Sequence, residues 1–227
     1  MGPLHGTVGG PATCANGYAG RRLTSVPDDL SSMVDQVFDL QGEDLPQDHR
    51  EALWLAVSAT LAWLPSEPTA GIHAIRAAHT NYGLTLLPRR AKLVLRVPEH
   101  RLQDAQALEG KTLDVAGHPL RVGASHVRTL PLASTLYADF VSTGSTDETR
   151  FQADIARELA RLGIGCRFIC GRRRASRVSG REVAGFAVAL HDVPLDQSLW
   201  LQCVGLGRGR HLGCGILIQH KEISGLH

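Results

Sequence analysis

The sequence is poor in aromatic residues and contains no long apolar run. Phe, Trp and Tyr together make up 5% of its 227 residues, which argues against a protein that binds nucleic acid by stacking many bases on aromatic side chains. No stretch of about 18 apolar residues is present, so we expect no membrane-spanning segment and no membrane partner. Residues 1–31 are rich in Gly, Pro and Ser and lack the apolar centre of a signal peptide, so they are predicted to form a flexible extension.

Cysteine pairs and familiar catalytic motifs are also missing. The five cysteines are odd in number and include no C-x-x-C pair, a pattern that fits a reducing, cytoplasmic compartment and favours neither a disulfide framework nor a zinc site. The sequence lacks H-E-x-x-H, G-x-S-x-G and a P-loop ending in G-K-S/T. We therefore expect no metal and no cofactor.

The overall charge is close to neutral, but it is unevenly distributed. The formal net charge at pH 7 is +2. Residues 163–227 contain nine Lys and Arg against four Asp and Glu, a net charge of +5, so the first 162 residues carry −3. A basic C-terminal third in a nearly neutral protein favours a local binding site for a polyanion, with a solvated charged face as the alternative.

The order of predicted strands and helices repeats once along the chain. Each half follows β-α-β-β-α-β, the order of the ferredoxin-like (RRM-type) fold. The sequence therefore predicts an α+β protein with two tandem ferredoxin-like domains, over residues 32–130 and 131–227. Asp48 is predicted to cap the first helix, and Ala116 and Gly117 to form a hairpin turn. The predicted strands lie at 33–42, within 71–87, at 91–98, 111–123, 134–143, 165–171, 182–193 and 213–221, and the predicted helices at 48–64, 99–110, 147–164 and 194–207.

Five arginines crowd into the segment CGRRRASRVSGR, which is predicted to form a basic turn over residues 171–182. Like charges at one hairpin tip repel each other unless an anion lies between them. Because guanidinium groups match phosphate oxygens and guanine edges, nucleic acid is the expected anion, with a solvated loop as the alternative. The arginines are Arg172, Arg173, Arg174, Arg177 and Arg181.

The segment GLGRGRHLGCG, residues 205–215, is rich in glycine and cationic. It matches the dinucleotide-binding pattern G-x-G-x-x-G only superficially, because that motif follows a strand and opens a helix, whereas here a helix precedes and a strand follows. The segment instead predicts a loop whose backbone N–H groups can approach phosphates, with charge from Arg208, Arg210 and His211. The alternative, a glycine-rich helix cap, accounts for one or two glycines but not for all five. These glycines are Gly205, Gly207, Gly209, Gly213 and Gly215.

Two of the eleven histidines stand out by position. His73 and His79 lie in GIHAIRAAHTNYG, after the first helix, beside Arg76 and Tyr82. A histidine near an RNA backbone can transfer a proton near neutral pH. The alternative for each is a purely structural role.

Together these segments resemble the CRISPR-associated endoribonucleases that cut repeat RNA, the Cas-six family of the RAMP superfamily, and especially a compact subfamily. The C-terminal glycine-rich loop is the most specific of the matching segments, which extend from about residue 34 to 223. They are VFDLQGEDLPQDH, GIHAIRAA, RRAKLVLRVP, KTLDVAGHPLRVG, STLYADFV, CGRRR and GLGRGRHLGCGILIQHK.

The resemblance implies two ferredoxin-like domains, with a CRISPR repeat RNA hairpin (pre-crRNA or crRNA) bound against the second. It implies metal-independent cleavage within each repeat, in which a ribose 2′-OH attacks the adjacent phosphate and leaves a 2′,3′-cyclic phosphate and a 5′-OH. The product is mature crRNA for antiviral defence. Other subunits of a CRISPR effector complex remain open as partners.

The resemblance also assigns residues. By position the catalytic histidine maps onto His73, with His79 as runner-up and Tyr82 as an assisting group, while Lys92 is a weaker candidate. The RNA-binding residues that follow from the resemblance and from the charge pattern are Arg76, Arg89, Arg90, Arg172, Arg173, Arg174, Arg177, Gly205, Gly207, Arg208, Gly209, Arg210, His211, Gly213, Gly215 and Lys221.

Two other functions fit the predicted fold. One is a non-catalytic subunit that holds processed crRNA in an effector complex. The other is a ferredoxin-like protein that senses a small metabolite and has no affinity for RNA.

Overall fold

A computed structural model describes residues 33–75 and 83–220, and the backbone of residues 78 and 79. The predicted extension 1–31, Arg76, Tyr82, Lys221 and the side chain of His79 lie outside this part. The strands are β1 (Met33–Gln41), β2 (Asp44–Pro46), β3 (Gly71–Ile72), β4 (Ala78–His79), β5 (Leu84–Leu86), β6 (Lys92–Pro98), β7 (Thr112–Val115), β8 (His118–Thr129), β9 (Leu136–Val141), β10 (Arg167–Val178), β11 (Arg181–His191) and β12 (Ile218–Gln219). The α-helices are α1 (Arg50–Thr60), α2 (Leu102–Ala105), α3 (Glu148–Arg161) and α4 (Leu195–Val204).

The strands form one antiparallel sheet in each half of the chain and a small third sheet. The N-terminal sheet has the order β3-β6-β1-β8-β7, and the C-terminal sheet has the order β10-β11-β9-β12. When the strands are numbered by their place in the β-α-β-β-α-β unit, with β8 as the fourth strand of the first unit, both sheets have the order 2-3-1-4. The third sheet is β2-β5-β4. The predicted α+β fold with two ferredoxin-like units is confirmed.

Each half packs its helices over its own apolar core. In α3, Phe151, Ile155 and Leu159 recur every four residues and are buried, as expected for an amphipathic helix. The helix begins after Asp147, whose carboxylate accepts a hydrogen bond from the Arg150 N–H at 2.8 Å. The two larger core clusters fall within residues 34–122 and 133–217, while the boundary near residue 130 stays a prediction.

A buried ion pair links the two halves. Arg96 of β6 donates to the Asp35 carboxylate of β1 at 2.8 and 3.2 Å. The same guanidinium donates to the carbonyl oxygens of Gln202 at 3.2 Å and Leu217 at 2.6 Å, which belong to the C-terminal half. Arg96 is 1% exposed and Asp35 is 2% exposed. One side chain thus satisfies a buried carboxylate and fixes the C-terminal half on the N-terminal sheet.

The β10–β11 hairpin makes a second link between the halves. Its end contacts the start of α1, where the Asp48 carboxylate accepts from the Ser176 hydroxyl at 2.5 Å and from the Arg177 N–H at 2.6 Å. Glu51 accepts from the Ser179 N–H at 2.9 Å. The predicted capping role of Asp48 is wrong, because its carboxylate binds the hairpin and the N-cap position belongs to His49.

The predicted basic turn at 171–182 is also wrong. β10 continues to Val178 and pairs there with Arg181, so the turn consists of Ser179 and Gly180 alone. Their φ angles are 48° and 76°, the left-handed pair that favours a tight hairpin. All five arginines therefore lie in strands: Arg181 begins β11, and the other four belong to β10, namely Arg172, Arg173, Arg174 and Arg177.

Other differences concern the lengths of the predicted elements. The last strand, predicted over 213–221, is reduced to β12, because the glycine-rich segment folds on itself. The helix predicted at 99–110 consists of α2 between two short 3-10 turns. The predicted turn at Ala116 and Gly117 is present, with φ angles of 55° and 87°. Within the described residues, no helix is both long enough and apolar enough to cross a membrane.

Replacing Arg96 tests the buried link. Arg96→Ala leaves the Asp35 carboxylate buried without its main partner and removes the donors to Gln202 and Leu217. We expect the free energy of unfolding to fall by about 3–5 kcal/mol, measured by urea denaturation.

The matched control is Arg157→Ala. This arginine is 75% exposed and pairs with Asp154 at 3.0 Å, so its loss should change the free energy of unfolding by less than about 1 kcal/mol. Equal unfolding midpoints for the two variants would contradict the role given to Arg96.

Candidate functional site: a histidine pocket beside the glycine-rich loop

His73 directly follows β3, which is an edge strand of the N-terminal sheet. Its backbone N–H donates to the Val94 carbonyl at 2.9 Å, which places its side chain on the face of the sheet that carries Asp35 and Arg96. Nε2 of His73 is 3.3 Å from Oδ1 of Asp35, and the side chain is 16% exposed. Arg128 of β8 donates to the other oxygen of Asp35 at 2.9 Å. One carboxylate thus contacts a histidine and two arginines.

These contacts shift the ionisation of both central groups. Burial favours the neutral form of Asp35, but the hydrogen bond with His73 and the charge of Arg96 outweigh it and hold the pKa of the carboxyl well below its usual range. Burial lowers the pKa of His73, and Arg96 and Arg128 act in the same direction, while Asp35 opposes them. The pocket therefore holds a neutral imidazole against an ionised carboxylate near neutral pH.

The glycine-rich loop, residues 205–215, packs too closely for most side chains. A Cβ added at Gly215 would lie 1.7 Å from the Leu206 carbonyl oxygen, and one at Gly213 would lie 2.5 Å from the Ile72 carbonyl oxygen. Both positions have positive φ angles, 67° and 77°, which glycine adopts without strain. Close contacts of the same kind occur at Gly205 and Gly207. The protein itself fills the space that these glycines leave.

Most N–H groups of the loop also have partners inside the protein. Arg208 N–H donates to Ser142 O at 2.7 Å, and Gly207 N–H contacts the Glu158 carboxylate at 3.0 and 3.1 Å. Further backbone donors in the loop with internal partners are Leu206, Leu212, Gly213, Cys214 and Gly215. Close packing and hydrogen bonding within the protein therefore account for the glycines. Contact of these N–H groups with an external phosphate stays a prediction.

The two arginines and the histidine of the loop have different environments. Arg210 turns inward, where its Nε donates to the Thr69 carbonyl at 2.7 Å and burial lowers its pKa to about 10. His211 is exposed and contacts Trp54 edge-on, with ring centroids 5.0 Å apart. Arg208 is exposed, and its side chain has no ion pair among the described residues. Of the three, Arg208 is the one that can offer its charge to a ligand without leaving a partner.

The fold brings the loop and His73 together although 140 residues separate them. A Cβ added at Gly213 would lie 2.5 Å from the Ile72 carbonyl oxygen and 3.2 Å from the Ala74 nitrogen. The loop therefore contacts the chain on both sides of His73. Arg50 of α1 fixes the loop by donating to the Leu212 carbonyl at 2.9 Å. A cavity of about 500 Å³ lies beside this contact, between α1, the segment 64–70 and the loop.

The arginines of β10 are only partly free. Arg173 pairs with Glu182 at 2.7 Å, and Arg174 pairs with Asp139 at 2.6 Å. For the exposed side chains of Arg172 and Arg177, no ion pair is found within the described part of the chain. The predicted cationic surface is therefore a strand with two paired and two available charges, not a crowded tip.

The remaining predicted residues near His73 are only partly described. Arg89 and Arg90 are exposed in the turn between β5 and β6. Lys92 forms an ion pair with Asp39. His79 pairs through its backbone with Thr85 in the small sheet, and its side chain is outside the described part.

Sequence reasoning missed the partners of His73. Arg96 stands between Leu95 and Val97 in β6, and a charged residue flanked by apolar residues in a strand signals a buried pair or a site. Asp35 lies beside Gln36 in β1 and gave a weaker signal. Arg128 gave no such signal. A second polar groove of about 700 Å³, lined by Arg150, Arg161 and Arg208 together with residues of α3 and the loop at 143–147, was also not predicted. In the described residues, no group of three or more His, Cys, Asp or Glu is arranged to hold a metal ion.

The chain is thus a tandem ferredoxin-like protein with a glycine-rich loop packed between its two halves. A family model described as Cas6 Crispr matches residues 34–222, and the chain belongs to the Cas6 family. A relative from Myxococcus xanthus (strain DK1622), named CRISPR-associated endonuclease Cas6, is 33% identical over 190 residues, which cover 83% of this chain and 82% of the relative.

Solved structures share the fold at low sequence identity. A structure described as CRISPR associated protein Cas6 has a TM-score of 0.61 at 11% identity and covers 84% of this chain and 100% of its own. A Cas6-related protein from Pyrococcus furiosus has a TM-score of 0.59 at 10% identity, with coverage of 84% and 100%. A structure described as an RAMP protein binding different RNA substrates has a TM-score of 0.61 at 13% identity, with coverage of 83% and 100%.

Gly215→Ala tests the packing of the loop. The new Cβ would overlap the Leu206 carbonyl, and alanine disfavours the left-handed backbone by about 1–2 kcal/mol, so we expect a loss of at least about 2 kcal/mol in the free energy of unfolding. Gly165→Ala is the control, because nothing lies within 4 Å of its added Cβ. A Gly215→Ala protein as stable as this control in thermal unfolding would show that the loop is less tightly packed than described.

Proposed function

We propose that the protein is a CRISPR endoribonuclease that binds the repeat RNA of pre-crRNA and cuts within the repeat to give mature crRNA. Membership of the Cas6 family supports this function, as does the name of the relative from Myxococcus xanthus. The observation that carries the proposal is the position of His73. A neutral histidine next to arginines and to the family's glycine-rich loop is suited to proton transfer on a bound phosphodiester.

The proposed reaction needs a base, a cation and a proton donor. His73 takes the proton of the ribose 2′-OH, and O2′ forms a bond to the adjacent phosphorus. The bond from phosphorus to O5′ breaks, and O5′ takes a proton, so the products carry a 2′,3′-cyclic phosphate and a 5′-OH. We assign the proton donor to Tyr82, with His79 as the alternative base, and charge stabilisation to Arg76 or Arg128. We propose that no metal ion takes part, since side chains can supply the base, the positive charge and the proton donor.

RNA binding is proposed to use arginines that are free of internal partners. Arg172 and Arg177 on β10 and Arg208 in the loop are exposed on the C-terminal half, and Arg89 and Arg90 are exposed on the N-terminal half. Arg173 and Arg174 can bind RNA phosphates only by giving up their ion pairs with Glu182 and Asp139. Arg210 is better explained as a link between the halves, because its guanidinium donates to the backbone of both.

Replacing His73 tests the catalytic assignment. In a repeat-cleavage assay with excess EDTA, we expect the wild-type protein to cut and His73→Ala to lose about 10²-fold to 10⁴-fold in rate, because a positioned general base contributes a factor of this size. Repeat affinity, measured by filter binding, should stay close to that of the wild type.

His79→Ala is the comparison variant in the same assay, since His79 is the second candidate base. Full activity of both single variants would reject a histidine base at either position. A wild-type protein that cuts only after metal is restored would reject the metal-independent reaction and leave the family assignment in place.

The free arginines predict how binding depends on salt. Arg172→Ala should weaken repeat binding and reduce the slope of log affinity against log salt, because one phosphate contact and its released counterion are lost. Arg173→Ala and Arg174→Ala should also weaken repeat binding and reduce this slope, but by less, because each arginine has to break an ion pair with a carboxylate before it can bind a phosphate. If all three variants show the wild-type slope when affinity is measured at four salt concentrations, the proposal that β10 contacts the RNA is rejected.

A second function is supported by the burial of His73. A histidine that is 16% exposed and held by a buried carboxylate also fits a structural residue, as expected for a non-catalytic crRNA-binding subunit. If the protein is such a subunit, the wild type will bind the repeat RNA but will not cleave it.

A further inference from the structure

The contact between His73 and Asp35 has a chemical consequence for the imidazole ring. Nε2 lies 3.3 Å from Oδ1 of Asp35, and no described residue forms a hydrogen bond with Nδ1. An ionised carboxylate has no proton to donate and accepts hydrogen bonds only. Nε2 must therefore be the nitrogen that carries the hydrogen when the ring is neutral, and the lone pair of the ring then belongs to Nδ1.

Asp35 is itself held so that it cannot turn away from His73. Arg96 donates to both carboxylate oxygens, through Nε to Oδ1 at 2.8 Å and through Nη2 to Oδ2 at 3.2 Å. Arg128 donates to Oδ2 at 2.9 Å. The Asp35 side chain is 3% exposed, so little of it is open to solvent. The carboxylate thus offers Oδ1 to His73 in one orientation.

The charges around His73 come from four elements. Asp35 on β1 is the only negative group in contact with the imidazole among the described residues. Arg96 on β6 and Arg128 on β8 are positive and oppose protonation of the ring. Arg210 in the glycine-rich loop is positive and acts on the same Asp35 and Arg96. Removing the charge of Asp35 therefore leaves His73 with positive neighbours alone.

We infer that Asp35 is a positioning residue for the cleavage reaction, which keeps the hydrogen of neutral His73 on Nε2 and leaves Nδ1 as the atom that takes the proton of the ribose 2′-OH. This inference rests on the proposed function. During the step the O2′–H bond breaks, its proton forms a bond to Nδ1, and the positive charge that develops on the ring is stabilised by Asp35. The same carboxylate therefore selects the reactive nitrogen and supports its protonated form.

The tautomer of His73 can be measured in the wild-type protein without any substitution at Asp35. In the full chain labelled with ¹⁵N-histidine, long-range ¹H–¹⁵N correlation spectra distinguish the two neutral tautomers, and the spectrum of His73→Gln identifies the signal that belongs to His73. We expect the hydrogen on Nε2 at a pH where the ring is neutral. A hydrogen on Nδ1 would overturn the inference, and this measurement decides even if variants of Asp35 do not fold.

The second measurement compares Asp35→Asn with a matched Asp–His pair elsewhere. Asp44 contacts His118 Nδ1 at 2.6 Å on the same half of the chain, and it is not among the groups that shift the pKa of His73, so Asp44→Asn removes one carboxylate charge from a second Asp–His pair. We expect Asp35→Asn to lower the cleavage rate by about 10²-fold or more, without loss of repeat affinity, and Asp44→Asn to cut like the wild type.

The pH profile separates positioning from a merely structural role. Cleavage should rise with pH as His73 loses its proton, and the loss of the Asp35 charge lowers the pKa of His73, so the rising limb of Asp35→Asn moves to lower pH. A folded Asp35→Asn protein with the rate and the limb of the wild type would overturn the inference while loss of activity in His73→Ala still supported the proposed function. Activity in His73→Ala would instead reject His73 as the base and with it the inference, whereas repeat cleavage would still support the proposed function with His79 as the base.

Discussion

The buried pair of Asp35 and Arg96 is the interaction on which the rest of the structure depends. Removing two charges from water is costly, and the cost is recovered only where geometry is good and every remaining donor and acceptor is used. Here the guanidinium gives two hydrogen bonds to the carboxylate and two more to the carbonyls of Gln202 and Leu217. Because those carbonyls belong to the other half of the chain, the pair is satisfied only when the two ferredoxin-like units are docked in this one arrangement.

The glycine-rich loop depends on the same docking. It is closed by its own hydrogen bonds and by contacts with β9, and its outer side lies against the chain around His73. A loop with larger residues could not approach Ile72 so closely, and Arg210 could not reach the Thr69 carbonyl. Glycine therefore serves the contact between the halves first, and any surface that the loop offers to RNA is one whose shape this contact has already fixed.

The sequence was sufficient for the features that depend on local pattern. The apolar spacing in α3 and the turn at Ala116 and Gly117 follow from residues a few positions apart, and both agree with the structure. The contact between Asp35 and Arg96 joins residues 61 positions apart, and no local pattern specifies which buried charge meets which. The prediction of a basic turn was wrong for a related reason. A run of arginines is typical of a loop by composition, but its pairing with β11 makes it part of a long strand. The candidate histidine could be found from the sequence, but its carboxylate partner could not.

The structure divides the proposed chemistry between two kinds of group. The pocket contains a titratable histidine whose protonation is set by one carboxylate and its arginines, in surroundings that water and salt enter poorly. The surface carries arginines, such as Arg172 and Arg208, whose charge does not change near neutral pH. Salt screens exposed charges strongly and buried pairs much less, so ionic strength acts on the binding of a polyanion and pH acts on the proton transfer.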